Sequence, residues 1–252
     1  MRVLVAGTAR NIAADWEKTC QSLARIFNSV DDYRCVLVES NSNDATLPLL
    51  KTWESEDNRR NVLSLGHLSE PSRTKRIATA RNAYMDFFEK SGKFDSFDYM
   101  IVVDLDSSLH VESTFKEQLD SCFSRDDWDG IGSNRRGRYY DIWALRSAVL
   151  GCTFDCWEMV NKSIGIQGGK LILTYAEKVQ AFVSRFQTVL APSEAWIPCE
   201  SAFGCMALYK VKSVRHRRYN GDTTCEHVSF HSGLRMFINP AFISGGECAE
   251  HC

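Results

Sequence analysis

The sequence predicts an α/β fold, an α/β/α sandwich with a mostly parallel central sheet. Three observations point to it. The first 110 residues alternate short apolar runs with amphipathic stretches, the rhythm of a parallel sheet covered on both faces. The run Tyr99-Met-Ile-Val-Val is apolar throughout, as expected of a strand buried on both faces. It ends abruptly in Asp104 and Asp106, two carboxylates at the strand's carboxyl end, where open α/β sheets bind ligands.

In chain order, Val3–Ala6 reads as the first strand. Ile12–Val30 reads as a helix, because Ile12, Trp16, Leu23, Phe27 and Val30 recur near the helical period. Cys35–Glu39 is a second strand, Ser40–Asp44 a polar turn and Leu47–Trp53 a short helix. Val62–Leu65 is a third strand, Lys75–Lys90 a helix and Tyr99–Val103 the fourth strand. Beyond it the pattern is less regular. A helix over Ser113–Phe123, strands at Gly130–Gly132 and Tyr139–Leu145, and a helix over Leu171–Phe186 follow. An apolar strand Ala202–Tyr209 comes after the turn at Pro198, and Phe237–Phe242 closes the chain, interrupted by Pro240. A break near residue 110 divides one domain, residues 1–252, into two lobes: a nucleotide-type half, 1–110, and an acceptor-type half, 111–252.

Composition narrows the function classes. With 252 residues, 44% hydrophobic and 25% charged, the chain has the make-up of a globular protein. A formal charge of −2 gives no bulk attraction to nucleic acid or to an anionic membrane. The N-terminus enters a strand without the pattern of a signal peptide, and no stretch matches the roughly 20 apolar residues of a membrane span. A cytoplasmic protein is expected. The ten cysteines are scattered and read as buried free thiols. Cys152 with Cys156, and Cys248 with Cys252 beside His251, lack the paired spacing of a zinc site.

Several segments carry candidate chemistry. Asp104 and Asp106, one residue apart, can share a hard divalent cation, and Mg²⁺-type sites use one or two carboxylates plus substrate phosphates. A turn in which both cap a helix is the plainer alternative. Gly7-Thr-Ala-Arg-Asn follows the first strand: Gly7 permits close backbone approach, Thr8 lies beside it, and Arg10 adds donors at the mouth of the sheet. The run is not Gly-x-Gly-x-x-Gly, so it does not support a dinucleotide fold. Glu39 ends the second strand, where a carboxylate can accept hydrogen bonds from a ribose or base, while Asp44 suits a helix cap. Arg73, Arg76 and Arg81 recur near helical spacing, and guanidinium groups pair bidentately with phosphate oxygens. An Arg on a packed face needs an anionic partner, either Asp104 or a diphosphate. Asp141 sits unusually within an aromatic stretch beside Trp143, which either stacks on a sugar or belongs to the core. Glu200 precedes an apolar strand and is either a general base for an incoming hydroxyl or a structural group. His227 and His231 stand four apart. A neutral imidazole can complete a metal site begun by carboxylates, and His227, beside Glu226, is the preferred candidate.

Together these residues resemble the GT-A-fold, nucleotide-sugar-dependent glycosyltransferases. The likeness is carried by the first strand with Gly7-Thr-Ala-Arg-Asn, Glu39, Arg81-Asn82, Asp104-Leu-Asp106 and His227. The segments Tyr140-Asp-Ile-Trp-Ala-Leu-Arg, Glu200-Ser-Ala-Phe-Gly and Cys225-Glu-His-Val are most similar to the small viral enzymes of large algal viruses and to capsule-associated mannosyltransferases. The resemblance implies a GT-A-like, Rossmann-type sandwich and a UDP- or GDP-sugar donor bound through Mn²⁺ or Mg²⁺. It implies Asp106 as the direct metal ligand, Asp104 on metal or ribose, and His227 completing the site. Arg73, Arg76 or Arg81 would lie on the diphosphate, and Glu200 or Asp141 would be the base. The inverting members often show paired acidic residues at the base position, whereas Ser201 follows Glu200. The implied acceptor is a glycan, glycoprotein or lipid-linked sugar, with neither nucleic acid nor a membrane span involved. Two other readings compete. A nucleotidyltransferase would use a basic, Gly-rich loop after the first strand, where only Gly7 and Arg10 occur; a non-catalytic sugar-nucleotide-binding module would bind without turnover.

Overall fold

A computed structural model describes residues 1–106, 109–162 and 173–245. Its centre is an eight-stranded mixed, mostly parallel sheet in the order β3-β2-β1-β4-β7-β5-β8-β6. The strands are β1 (Arg2–Ala9), β2 (Asp32–Glu39), β3 (Arg60–Ser64), β4 (Tyr99–Leu105), β5 (Gly130–Arg135), β6 (Ile197–Cys199), β7 (Met206–Lys210) and β8 (Met236–Gly245). The first four are mutually parallel, β7 runs antiparallel to β4 and β5, and β6 antiparallel to β8. Every strand before residue 110 lies on one side of the β4/β7 pairing, and every strand after it on the other.

The alternation along β1 and β4 explains the three layers. Val3, Val5, Ile101 and Val103 point to one face. There they meet Leu23, Ile26 and Phe27 of α1 (Trp16–Asn28), Leu50 and Trp53 of α2 (Thr46–Ser55), and Phe115 and Leu119 of α4 (Phe115–Ser121). Leu4, Ala6, Met100 and Val102 point to the other, against Ala78, Tyr84, Met85 and Phe88 of α3 (Arg73–Lys90), Val211 and Val214 of α7 (Val211–Val214), and Phe230 of α8 (Glu226–His231). A third cluster joins Tyr139, Ile142 and Leu145 to α5 (Cys156–Asn161) and to Val183 just after α6 (Tyr175–Phe182).

Some elements differ from expectation. Tyr139–Leu145 is not a strand. Asp141 accepts a hydrogen bond from the Ala144 N–H, and the Ile142 N–H turns back to the Tyr140 carbonyl, so local bonds replace a ladder. The strand expected from Ala202 begins only at Met206, because Gly204 and Cys205 adopt left-handed φ values of 73° and 79°. Pro240 does not interrupt β8: the strand runs past it to Gly245, and the pairing with β5 shifts register there. The start of the helix expected at Leu171, and the Cys248, His251 and Cys252 group, lie outside the described residues.

Candidate active site

The carboxyl ends of β1 and β4 open onto a cavity of about 260 Å³ lined by Thr8, Arg10, Asn41, Arg73, Arg76, Asp104 and Asp106, among others. An adjoining inner cavity of about 200 Å³ shares Arg73, Asp104 and Asp106 and adds Arg81, Asp141, Trp143, Glu226 and His227. The sheet's own geometry selects these groups. Asp104 lies beside Thr8 across the parallel β1/β4 ladder, and its N–H donates to the Cys205 carbonyl at 2.9 Å. On α3, Arg73, Ile77 and Arg81 stand one helical turn apart and face one side. Ser72 caps the start of that helix by accepting the Lys75 N–H.

Arg81 is the electrostatic centre. It is buried, donating from Nη2 to Asp104 at 2.7 Å and from Nε to Glu226 at 3.0 Å. The rings of Phe203 and Tyr219 lie 5.0 and 5.6 Å from its guanidinium carbon. Burial opposes its charge, but Asp104, Tyr84 and Glu226 outweigh that and hold its pKa well above the ordinary arginine value. Its Nη1 is buried without a hydrogen-bond partner. Asp104 keeps a side-chain exposure of 30%, on the cavity side. Desolvation still dominates its titration: burial, helped by the charges of Asp106 and Glu226, raises its pKa to about 6 against the pull of Arg81.

His227 is buried against Phe203, ring centroids 3.8 Å apart, and neither ring nitrogen has a hydrogen-bond partner. Its Nε2 lies 3.8 Å from Glu226 Oε1. Burial first, then Arg81 and His231, push its pKa well below the histidine value, so the ring is neutral. His231 is engaged elsewhere, with Nδ1 on the Ser201 hydroxyl at 2.9 Å and Nε2 on the Tyr209 hydroxyl at 2.7 Å. Among the described residues no three His, Cys, Asp or Glu side chains converge closely enough to hold a metal ion. The three-ligand set Asp104, Asp106 and His227 is thus not drawn together here: the Phe203 stack holds the imidazole beside Glu226, and Asp104 is turned to Arg81. The donor chemistry nevertheless suits a divalent cation, with two carboxylates at the cavity and a neutral, unpartnered imidazole in its wall.

The other expected residues divide. Thr8, Arg10, Arg73 and Arg76 line the outer cavity, although Arg76 also donates to the Glu70 and Pro71 carbonyls. Gly7 does not line it. The strand runs on to Ala9, leaving Gly7 within β1, where an added Cβ would come within 3.1 Å of Leu105 and 3.2 Å of Leu37. Glu39 is buried and lines neither cavity: its oxygens accept the Ser42 N–H at 3.0 Å and the Ser64 hydroxyl at 2.8 Å, so it shapes the loop that presents Asn41. Asn82 pins the Tyr219 backbone through both its amide atoms. Asp44 accepts the Thr46 N–H at the start of α2.

Of the two candidate bases, Asp141 lines the inner cavity and Glu200 does not. Asp141 accepts the Gly204 N–H at 3.0 Å, and burial raises its pKa against that bond. Glu200 is exposed, outside the cavities, with its backbone N–H bonded to the Arg146 carbonyl. Sequence reasoning missed Glu226 as the second anchor of Arg81, although its place next to His227 was a signal. It also missed two residues of the inner cavity wall: Phe203, which sits in an apolar run indistinguishable from core, and Trp157, which lies between Asp155 and Glu158 with nothing local to mark it as cavity wall.

No family profile and no curated protein sequence matches the chain. Solved structures do. A mannosyltransferase from Pyrobaculum calidifontis in complex with GDP-Man and Mn²⁺ superposes with a TM-score of 0.54 at 13% identity, over 99% of this chain and 57% of that one. Staphylococcus aureus TarS gives 0.55 at 11% identity, over 99% of this chain and 37% of that one. TarS 1-349 in complex with UDP gives 0.50 at 13% identity, over 98% and 60%. The chain thus spans between about two fifths and three fifths of the length of these proteins. No helix among the described residues is long and apolar enough to cross a membrane. The architecture is that of the GT-A-type nucleotide-sugar glycosyltransferases, and the chain has a GT-A-like fold.

Proposed function

We propose that the chain is a metal-dependent glycosyltransferase, moving a sugar from a nucleoside-diphosphate donor, a UDP- or GDP-sugar, to a glycan, glycoprotein or lipid-linked acceptor. The outer cavity carries this reading. Arg10, Arg73 and Arg76 line it together with Asp104 and Asp106 at the carboxyl edge of the sheet. Guanidinium groups suit phosphate oxygens, and a carboxylate pair suits the divalent ion that accompanies them. The likeness to proteins solved with GDP-Man and Mn²⁺ or with UDP supports the same donor class.

In this reading Asp106 and Asp104 would hold Mn²⁺ or Mg²⁺, with His227 as the candidate third protein ligand once the side chains draw together. The bound ion would supply Lewis-acid neutralisation of the leaving diphosphate. Arg73 and Arg76 orient the phosphates, and Thr8, Arg10 and Asn41 line the nucleoside end. Arg81 holds Asp104 in place. Asp141 accepts the proton of the acceptor hydroxyl, and its raised pKa brings it closer to the working pH of a general base. Glu200 takes no part.

A thermal-shift screen of UDP-, GDP- and dTDP-sugars with and without Mn²⁺ tests the reading. A ligand at 100 times its dissociation constant stabilises the folded chain by about 2.7 kcal/mol. Metal-dependent stabilisation by one donor, with release of its nucleoside diphosphate, is expected. Stabilisation by none would refute the proposal, and release of pyrophosphate would replace it with nucleotidyl transfer.

A further inference from the structure

Next to the inner cavity lies a groove of about 440 Å³, lined by Thr74, Trp143, Asp155, Trp157, Glu158, Asn161, Lys162 and residues 222–224. Trp143 and Trp157 border both spaces. Each is half-buried. Asp155 positions both. Its Oδ2 accepts the Trp143 indole N–H at 3.1 Å, while its Oδ1 accepts the Trp157 and Glu158 backbone N–H groups at 2.9 Å at the start of α5. Thr224 and Arg146 close the same carboxylate from the other side.

The charges of this groove are matched within the protein. Glu158 pairs with Lys162 at 2.7 Å, Asp222 with Lys75 at 3.0 Å, and Asp155 with Arg146 at 3.6 Å. The Thr74 hydroxyl is spent on the Gly221 carbonyl and the Thr224 hydroxyl on Asp155, so the groove offers a ligand two half-buried indoles, the Thr223 hydroxyl, the Asn161 amide and ions already paired with one another. The outer cavity is the opposite case, with three arginines beside two aspartates. A phosphorylated or nucleotide ligand suits the outer cavity. A neutral ligand with an apolar face and a hydroxyl rim suits the groove, because indole rings bury C–H faces and short polar groups fix orientation.

We infer that this groove is the acceptor subsite, and that it takes the neutral hexopyranose end of a glycan, stacked on Trp143 and Trp157 with one hydroxyl directed into the inner cavity towards Asp141. The inference rests on the glycosyltransferase reading for the fate of that hydroxyl, but not for the binding itself.

The test has two arms. In the first, the methyl pyranosides of mannose, glucose, galactose and N-acetylglucosamine, together with mannose 6-phosphate, are titrated against the chain without donor, following saturation-transfer NMR and tryptophan fluorescence. At least one neutral glycoside should bind, and mannose 6-phosphate should bind more weakly. Trp157→Ala should weaken glycoside binding by about tenfold, with partial recovery in Trp157→Phe. Thr223→Arg, at an exposed position, should block the groove without removing any core packing. Preference for the phosphorylated sugar, or binding unaffected by both Trp157→Ala and Thr223→Arg, would overturn the proposal. In the second arm, transfer kinetics with the glycoside that binds should show the acceptor KM rising far more than the donor KM in both variants. Equal changes in the two KM values would overturn the subsite. If the wild-type chain releases nucleoside diphosphate from no donor, the transferase reading falls and the first arm alone decides the groove.

Discussion

Arg81 is clamped between Asp104 and Glu226, at 2.7 and 3.0 Å, with two aromatic rings flanking its guanidinium. The clamp ties α3, β4 and α8 together and sets the direction of the first carboxylate at the cavity. Removing the cation while leaving Glu226 buried and Asp104 part-buried is costly. Arg81→Ala should destabilise the fold by about 3–5 kcal/mol, read as a lowered urea midpoint. Arg81→Met with Glu226→Gln in the same chain should recover part of that loss, because the buried anion is removed too.

Asp106→Asn should abolish the Mn²⁺-dependent part of donor binding in calorimetry and lower transfer by about 100-fold or more. Removing metal with a chelator should do the same to the wild-type chain. Full donor binding and turnover in Asp106→Asn would end the metal-assisted mechanism.

The two candidate bases separate cleanly. Asp141→Asn should lower kcat by about 100- to 10,000-fold while leaving the donor dissociation constant within a few-fold. Glu200→Gln, at an exposed position outside the cavities, should retain wild-type kcat. The reverse ranking would move the base to Glu200 and require the loop after β6 to close over the site.

Buried neutral histidine predicts a pH dependence of stability. Burial, Arg217 and Arg81 lower the His231 pKa from 6.5 to about 3. The unfolded chain takes up a proton below pH 6.5 that the folded chain refuses. The contribution is therefore complete above that pH and is lost as pH falls towards about 3. The slope in this window is on the order of 1 kcal/mol per pH unit. His231→Gln can still meet the Ser201 and Tyr209 hydroxyls but cannot titrate. Denaturation midpoints between pH 7.5 and 4.5, chosen to span the upper part of that window, should fall less steeply in the variant.

The first half of the chain was legible because its signals are local. Tyr99–Val103 announces a doubly covered strand, and Arg73, Arg76 and Arg81 announce a helix face by spacing alone. The end of a strand is less legible. Gly7 reads as following the first strand, but parallel pairing extends β1 to Ala9 and uses the missing Cβ to fit between Leu37 and Leu105. Glu39 and Asn82 have the right chemistry for a ligand and spend it on the loop after β2 and on the Tyr219 backbone. The partners that decide this stand 25 and 137 residues away, beyond any window. Glu226 was missed for the same reason, since only the packing of α8 against the sheet brings it to the cavity.

The two left-handed residues before β7 have a consequence for how this scaffold can diversify. Gly204 gives its N–H to Asp141, and Cys205 gives its carbonyl to the Asp104 N–H. A single peptide corner thereby couples the residue assigned to the incoming hydroxyl with the residue assigned to the departing phosphate, and it does so through main-chain atoms that no ordinary substitution deletes. Drift in the surrounding loops can recast which alcohol is accepted while the span between the two halves of the reaction stays constant.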